Sequence, residues 1–189
     1  FSSDVSYYYN NDNGAAGLVF STMAYLMKSD NYTGSYSSTM WPRLKAGMDY
    51  YCSKIDDNQY KLVLGNNWET TGNGYGIYNN SIIYYTLLAA AVAADKTGHS
   101  SDRNNWNNHA ALLYNGINSY LKLGSDISWL GKTIPGGTFR FGLTTGGGDV
   151  GVATAGWFGA GSQEELFYGY KGDAVPGWRL AVDSMVDYH

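Results

Sequence analysis

Ile82-Ile-Tyr-Tyr-Thr-Leu-Leu-Ala-Ala-Ala-Val-Ala-Ala94 runs for thirteen residues without a charge, a glycine or a proline. A helix that is apolar nearly all round has no face for water and belongs on the inside of a fold. Gly17 to Met27 has the same character. The segments that follow are different. Trp41, Leu44, Met48, Tyr51, Cys52 and Ile55 recur at helical spacing with polar residues between them, as do Trp106, Ala110, Leu113, Ile117, Tyr120 and Leu121. An inner apolar helix thus alternates with an outer amphipathic one. Pro42 is placed in the first turn of its helix, where proline is tolerated, and Asp102 is read as the N-cap of the next outer helix.

The alternation repeats along the chain. Phe20-Ser-Thr22, Tyr84-Tyr-Thr86 and Val152-Ala-Thr154 mark three inner helices, with threonines 64 and 68 residues apart. Trp41, Trp106 and Trp178 each open the outer helix that follows, and Met48, Leu113 and Met185 stand seven residues further on. Repeats of this length indicate a stack of helical pairs. The fold expected is all-α: an α/α toroid or arc of about three helical hairpins, over residues 1–57, 58–124 and 125–189, with short β-like loops at one rim. Such an arc leaves its ends open to further hairpins or to other copies of itself.

The segments leading into the inner helices carry the functional signal. Tyr7-Tyr-Tyr9 and Phe139-Arg140-Phe141 each begin 15 residues before their threonine, whereas Tyr60-Lys-Leu62 begins 26 before Thr86. The second repeat therefore holds about eleven extra residues, within Gly65-Asn-Asn-Trp-Glu-Thr-Thr-Gly-Asn-Gly74. Insertions in one repeat usually fall on the functional face, although long surface loops are also tolerated at little cost. This one brings Trp68 and Glu69. Glycosidic cleavage needs a carboxylic acid that stays protonated near neutral pH, beside a flat apolar wall for a sugar ring. Asn66, Asn67, Tyr75, Tyr78, Asn79, Tyr9, Arg140 and Phe141 are the expected substrate-binding side chains around it. Asp12 and Asp149 stand at equivalent positions before the first and third inner helices, as caps of those helices or as partners of Glu69. A carboxylate pair separated by a water would make an inverting hydrolase.

Composition fits a neutral ligand. The chain has 189 residues, net charge −4, 18 Tyr and 6 Trp, with only 15% charged residues. No basic cluster exists for a phosphate backbone, so nucleic acid is not an expected partner. No stretch reaches the ~20 apolar residues of a membrane span. The three histidines are scattered without ligand spacing, and Cys52 is a lone, inert core thiol; neither a metal nor another cofactor is expected. Leu130-Gly-Lys-Thr133 lacks the upstream glycine of a nucleotide loop. Asn31-Tyr-Thr33 and Asn79-Asn-Ser81 are N-glycosylation motifs, which with low lysine and high Asn, Ser and Tyr point to a secreted protein.

Asn67-Trp-Glu-Thr-Thr-Gly72, followed by an aromatic residue and the helix from Ile82 to Ala94, resembles the glucoamylase family, part of the α/α-toroid (six-hairpin-type) glycosidase superfamily. The resemblance covers about thirty residues. It implies that Glu69 is the general acid and Trp68 the sugar platform. The family carries a second acid where this chain has Thr70, has six hairpins against three here, and draws its base from a much later hairpin. Tyr78-Asn-Asn-Ser81 is similar to the Tyr-Asn-Asp-Asp lead-in of fungal α/α-barrel mannanases. That likeness implies that Asn80 and Ser81 replace a carboxylate pair and that the protein only binds glycan. Gly136-Gly-Thr-Phe139 leading to Asp149 is similar to the repeats of terpenoid-cyclase toroids, without that family's acid-rich signature. The expectation is a glycoside hydrolase acting on a neutral oligo- or polysaccharide; the alternative is a non-catalytic glycan-binding or assembly module of the same fold.

Overall fold

A computed structural model of the chain describes residues 13–28, 35–64, 74–129, 132–134, 136–137 and 142–144. These are mostly helical, so the fold class is all-α. Helix α1 spans Asn13–Lys28, α2 Ser35–Asp56, α3 Ile77–Lys96 and α4 Ser100–Gly116, the last continuing into a π-helical turn over Ile117–Leu121. Strand β1 (Gly74–Gly76) pairs antiparallel with β4 (Gly142–Thr144), and β2 (Ile127–Trp129) with β3 (Lys132–Ile134). No described helix is long and apolar enough to cross a membrane.

Contacts along the helices fix their directions. The Phe20 ring of α1 lies against Gly47 of α2, and Gly17 approaches the Tyr51 hydroxyl, so the two helices run oppositely. Lys45, Cys52 and Asp56 of α2 meet Asp102, Asn105 and His109 of α4 in the same order, so those two run the same way. Gly17 packs on Ile82 and Ile83, and Thr86 Oγ1 donates to the Gly17 carbonyl at 3.2 Å, which sets the N-terminal turns of α1 and α3 side by side. Helix α3 turns back into α4 within three residues. Gly98 adopts φ 81°, a conformation that costs glycine nothing, and Gly98 N–H and His99 N–H donate to the Asp95 and Ala94 carbonyls.

Helix α3 is the most deeply buried element, with nine of its residues from Ile82 to Ala94 in the core and Thr86 buried among them. Its burial is not complete. Val92 is 46% exposed, as is Val19 of α1 at 45%, so each inner helix keeps a strip toward the outside. On the outer helices the periodic set is buried as expected: Leu44, Met48, Tyr51, Cys52 and Ile55 on α2, and Trp106, Ala110, Leu113, Ile117 and Leu121 on α4. Tyr120 departs from it, because the π turn shifts the register by one residue and leaves this ring 39% exposed.

Three expectations about helix starts need correction. Helix α2 begins at Ser35, so Trp41 is seven residues in and Pro42 is interior. Proline there has no N–H to give the Ser38 carbonyl, a defect worth ~3 kcal/mol in an exposed helix. Trp106 likewise stands seven residues into α4, whose N-cap is His99. Asp102 lies in the first turn instead of capping it, and accepts a 2.8 Å bond from Lys45, which also reaches Asp49 at 2.8 Å. Burial alone pulls the Lys45 pKa down, but the two carboxylates outweigh it and the net shift is upward. Thr86 is buried and bonded to the Ile82 and Gly17 carbonyls, while Thr22, its counterpart in the first repeat, is exposed. The equivalence in sequence is not an equivalence of role.

The Cys52 thiol is pushed up to about 12, first by burial and then by the charges of Asp49 and Asp56. The folded thiol stays neutral where the unfolded one ionises. Its contribution is therefore full below pH 9.0 and falls as pH rises toward about 12. Two results are expected: iodoacetamide leaves Cys52 unmodified at pH 8 until urea unfolds the chain, and Cys52→Ala shows a shallower loss of urea stability above pH 9. Labelling of the native protein at the unfolded rate would contradict this.

Gly116 marks the closest backbone approach at the end of α4. A Cβ there would sit 2.5 Å from the Tyr60 carbonyl oxygen and 2.9 Å from that of Lys61. Backbone cannot rotate away as a side chain can. Gly116→Ala is expected to cost about 1–3 kcal/mol in chemical denaturation despite alanine's better helix propensity.

Candidate functional site

The segment after α2 is tied down by two asparagines. Asn58 Nδ2 donates to the Lys54 and Leu62 carbonyls at 2.7 Å each, and its Oδ1 accepts from Tyr60 N–H at 3.0 Å. This closes the end of α2 into a tight loop with Lys61 at φ 56°. Asn80, on the first turn of α3, holds the far side: its Nδ2 donates to the Val63 carbonyl at 3.0 Å and the Gly76 carbonyl at 2.7 Å, and its Oδ1 accepts Val63 N–H at 2.7 Å. Residues 58–63, β1, the start of α3 and the end of α4 thereby meet at one end of the molecule, the rim.

Three tyrosines line it. Tyr60 packs its ring 5.3 Å from that of Tyr75 on β1 and 5.1 Å, edge to face, from that of Tyr120 on the π turn. Burial first, and the neighbouring Tyr60 second, raise the pKa of Tyr75 and keep its hydroxyl neutral as a donor. Leu143 of β4 pairs across from Tyr75. Beside these elements lies an open cleft of about 700 Å³.

The structure brings some expected site residues to this rim and does not describe others. Tyr75 is there, half-buried. Tyr78 is in the first turn of α3, with its side chain outside what is described. Asn79 is on the same turn but only 1% exposed. A side chain so buried has no room for a glycan in the folded chain, so Asn79 is a polar core residue and not a usable glycosylation site. It also does not cap α3, which starts two residues earlier with Gly76 at the N-cap position. Among the described residues, Asn79 Oδ1 and Ser81 Oγ are buried with no hydrogen-bond partner. Glu69, Trp68, Asn66, Asn67, Asp12, Asp149, Tyr9, Arg140, Phe141 and Asn31 lie outside the described residues. Their flanks do not: Leu64 and Gly74 bracket the Trp68-Glu69 insertion, Asn13 follows Asp12, and Thr144 precedes Asp149 by five residues.

Neither a family model, nor a curated protein, nor a solved structure matches this chain. The reading of the site rests on its own residues. Among those described, no group of three or more His, Cys, Asp or Glu residues could hold a metal ion. The rim offers the rings and hydroxyls of Tyr60, Tyr75 and Tyr120, groups suited to a neutral, hydroxyl-rich ligand, while its asparagines Asn58 and Asn80 are spent on backbone groups. Sequence reading missed Asn58, Asn80 as a clamp, and Tyr120. Asn58 had a signal, since an asparagine just past a periodic helix is a common terminator. Tyr120 had none, because only the π turn turns it outward.

Proposed function

We propose that this chain is a secreted, carbohydrate-active protein: an inverting-type glycoside hydrolase acting on a neutral polysaccharide, built as an arc of α/α hairpins of the toroid kind. The observation that carries the reading is that the N-terminal turns of α1 and α3 lie side by side, at the end where β1 pairs with β4. The three acidic candidates are attached in sequence to these elements: Asp12 to α1, Glu69 to the segment before β1, and Asp149 to the segment after β4. In this reading Glu69 protonates the leaving oxygen, Trp68 and Tyr75 receive the sugar rings, and Asp12 or Asp149 activates water from the opposite face. The test is release of reducing ends from neutral polysaccharides, paired with binding to the same glycans. Turnover that requires Glu69 supports the proposal, and absence of turnover on every glycan that binds rejects it.

A second reading is favoured by the first turn of α3. Asn79, Asn80 and Ser81 are all buried and all neutral, so this turn supplies no acid. On that footing the protein is a glycan-binding or assembly module of the same architecture. It predicts binding without turnover, unchanged by Glu69→Gln.

A further inference from the structure

The cleft of about 700 Å³ lies between the end of the outer helix α4 and β4. Asn118, Ser119 and Tyr120 of the π turn form one side, with Lys122 and Gly124 beyond them, and Leu143 faces them from β4. We infer that this cleft is a second glycan subsite, taking one or two pyranose rings of a neutral oligosaccharide against the Tyr120 ring. The inference rests on the glycan reading of the protein but not on its being an enzyme.

Four observations carry it. The volume falls in the range of small-ligand sites. Among the described residues the cleft lining carries no carboxylate, and Lys122 is the one charged group there, a lining that suits an uncharged ligand. Tyr120 is 39% exposed although aromatic, and its ring is braced from behind by the edge-to-face contact with Tyr60 at 5.1 Å. A flat, braced, half-apolar ring with a polar tip is a surface on which a sugar ring stacks. Finally, Asn118 Nδ2 donates to the Tyr114 carbonyl at 2.9 Å, which fixes the amide and keeps Oδ1 as an acceptor for a ligand hydroxyl. The π turn itself is the device that assembles this. Single π turns are frequent at functional sites because one extra residue per turn re-aims the side chains around it. Here the turn brings Asn118, Ser119 and Tyr120 to the cleft while Ile117 and Leu121 stay in the core.

The experiment is calorimetric titration of the full chain with maltohexaose, cellohexaose and xylohexaose. Variants Tyr120→Ala, Tyr120→Phe and Gly124→Leu are compared with the parent, each checked for an unchanged thermal transition. A Cβ at Gly124 meets nothing within 4 Å, so a leucine there obstructs the cleft without disturbing the core. At least one oligosaccharide should bind. Tyr120→Ala and Gly124→Leu should each weaken its Kd tenfold or more, while Tyr120→Phe, which keeps the ring, stays within threefold. Equal affinity in all three cleft variants, or no binding of any of the three sugars by the parent, overturns the subsite. Loss of hydrolysis without loss of this binding, or binding without any hydrolysis, separates the fate of the subsite from that of the enzymatic proposal.

Discussion

Under the proposed function, Glu69→Gln is expected to lower kcat about 10²–10⁴-fold on a polysaccharide, the range that a positioned proton donor contributes. The amide is nearly isosteric with the acid and cannot ionise, so the loss is chemical and the thermal transition stays where it was. The size of the loss depends on the leaving group. A natural sugar alkoxide needs a proton as the bond breaks, whereas a nitrophenolate leaves without one, so a nitrophenyl glycoside should lose far less rate than the polysaccharide. Steady-state kinetics on both substrates tests this. An unchanged kcat on the polysaccharide removes Glu69 from the mechanism, and an equal loss on both substrates gives it a role other than proton donation.

Asn80→Ala is expected to destabilise the fold by about 3 kcal/mol, because it strands both backbone groups of buried Val63 and takes a second donor from the Gly76 carbonyl. Val63 and Asn80 are both fully buried, so water does not replace the lost partners. In a chain of this size that corresponds to a fall of about 6–12 °C in Tm. Asn80→Asp sharpens the assignment. A carboxylate still accepts from Val63 N–H but gives nothing to the two carbonyls, and it faces their oxygens as a buried charge. Protonation restores one donor, so the aspartate variant should gain stability relative to the parent as pH falls. Urea titrations at several pH values measure both effects. A loss under about 0.5 kcal/mol for Asn80→Ala would mean that the clamp does not hold the rim.

These two positions also show how far sequence alone reaches. The apolar run from Ile82 to Ala94 announced an inner helix because a segment without a polar face has only one place to go, and α3 is there. The spacing of Leu44, Met48, Tyr51, Cys52 and Ile55 announced a one-sided helix for the same reason, and that side is buried. Asn80 was legible as a polar residue at a helix start, for which capping is the usual use. Its real partners, Val63 and Gly76, are set by where a loop closes, and a side-chain amide serves equally well in either role.

What the chain's pattern determined unaided is therefore the class of the fold and the placing of its core: periodic burial is a property of each helix separately, written in its own residues. What needed the tertiary structure is every relation between elements. Helix α2 starts a turn and a half before its tryptophan, Asp102 answers Lys45 instead of its own helix, Asn79 turns inward, and a π turn sends Tyr120 out to a cleft. Asp102 is the plainest case, held by Lys45 from 57 residues away in the chain. Local periodicity carries no record of such encounters, because hydrogen bonds and ring contacts depend on which surfaces meet and not on the spacing within either one.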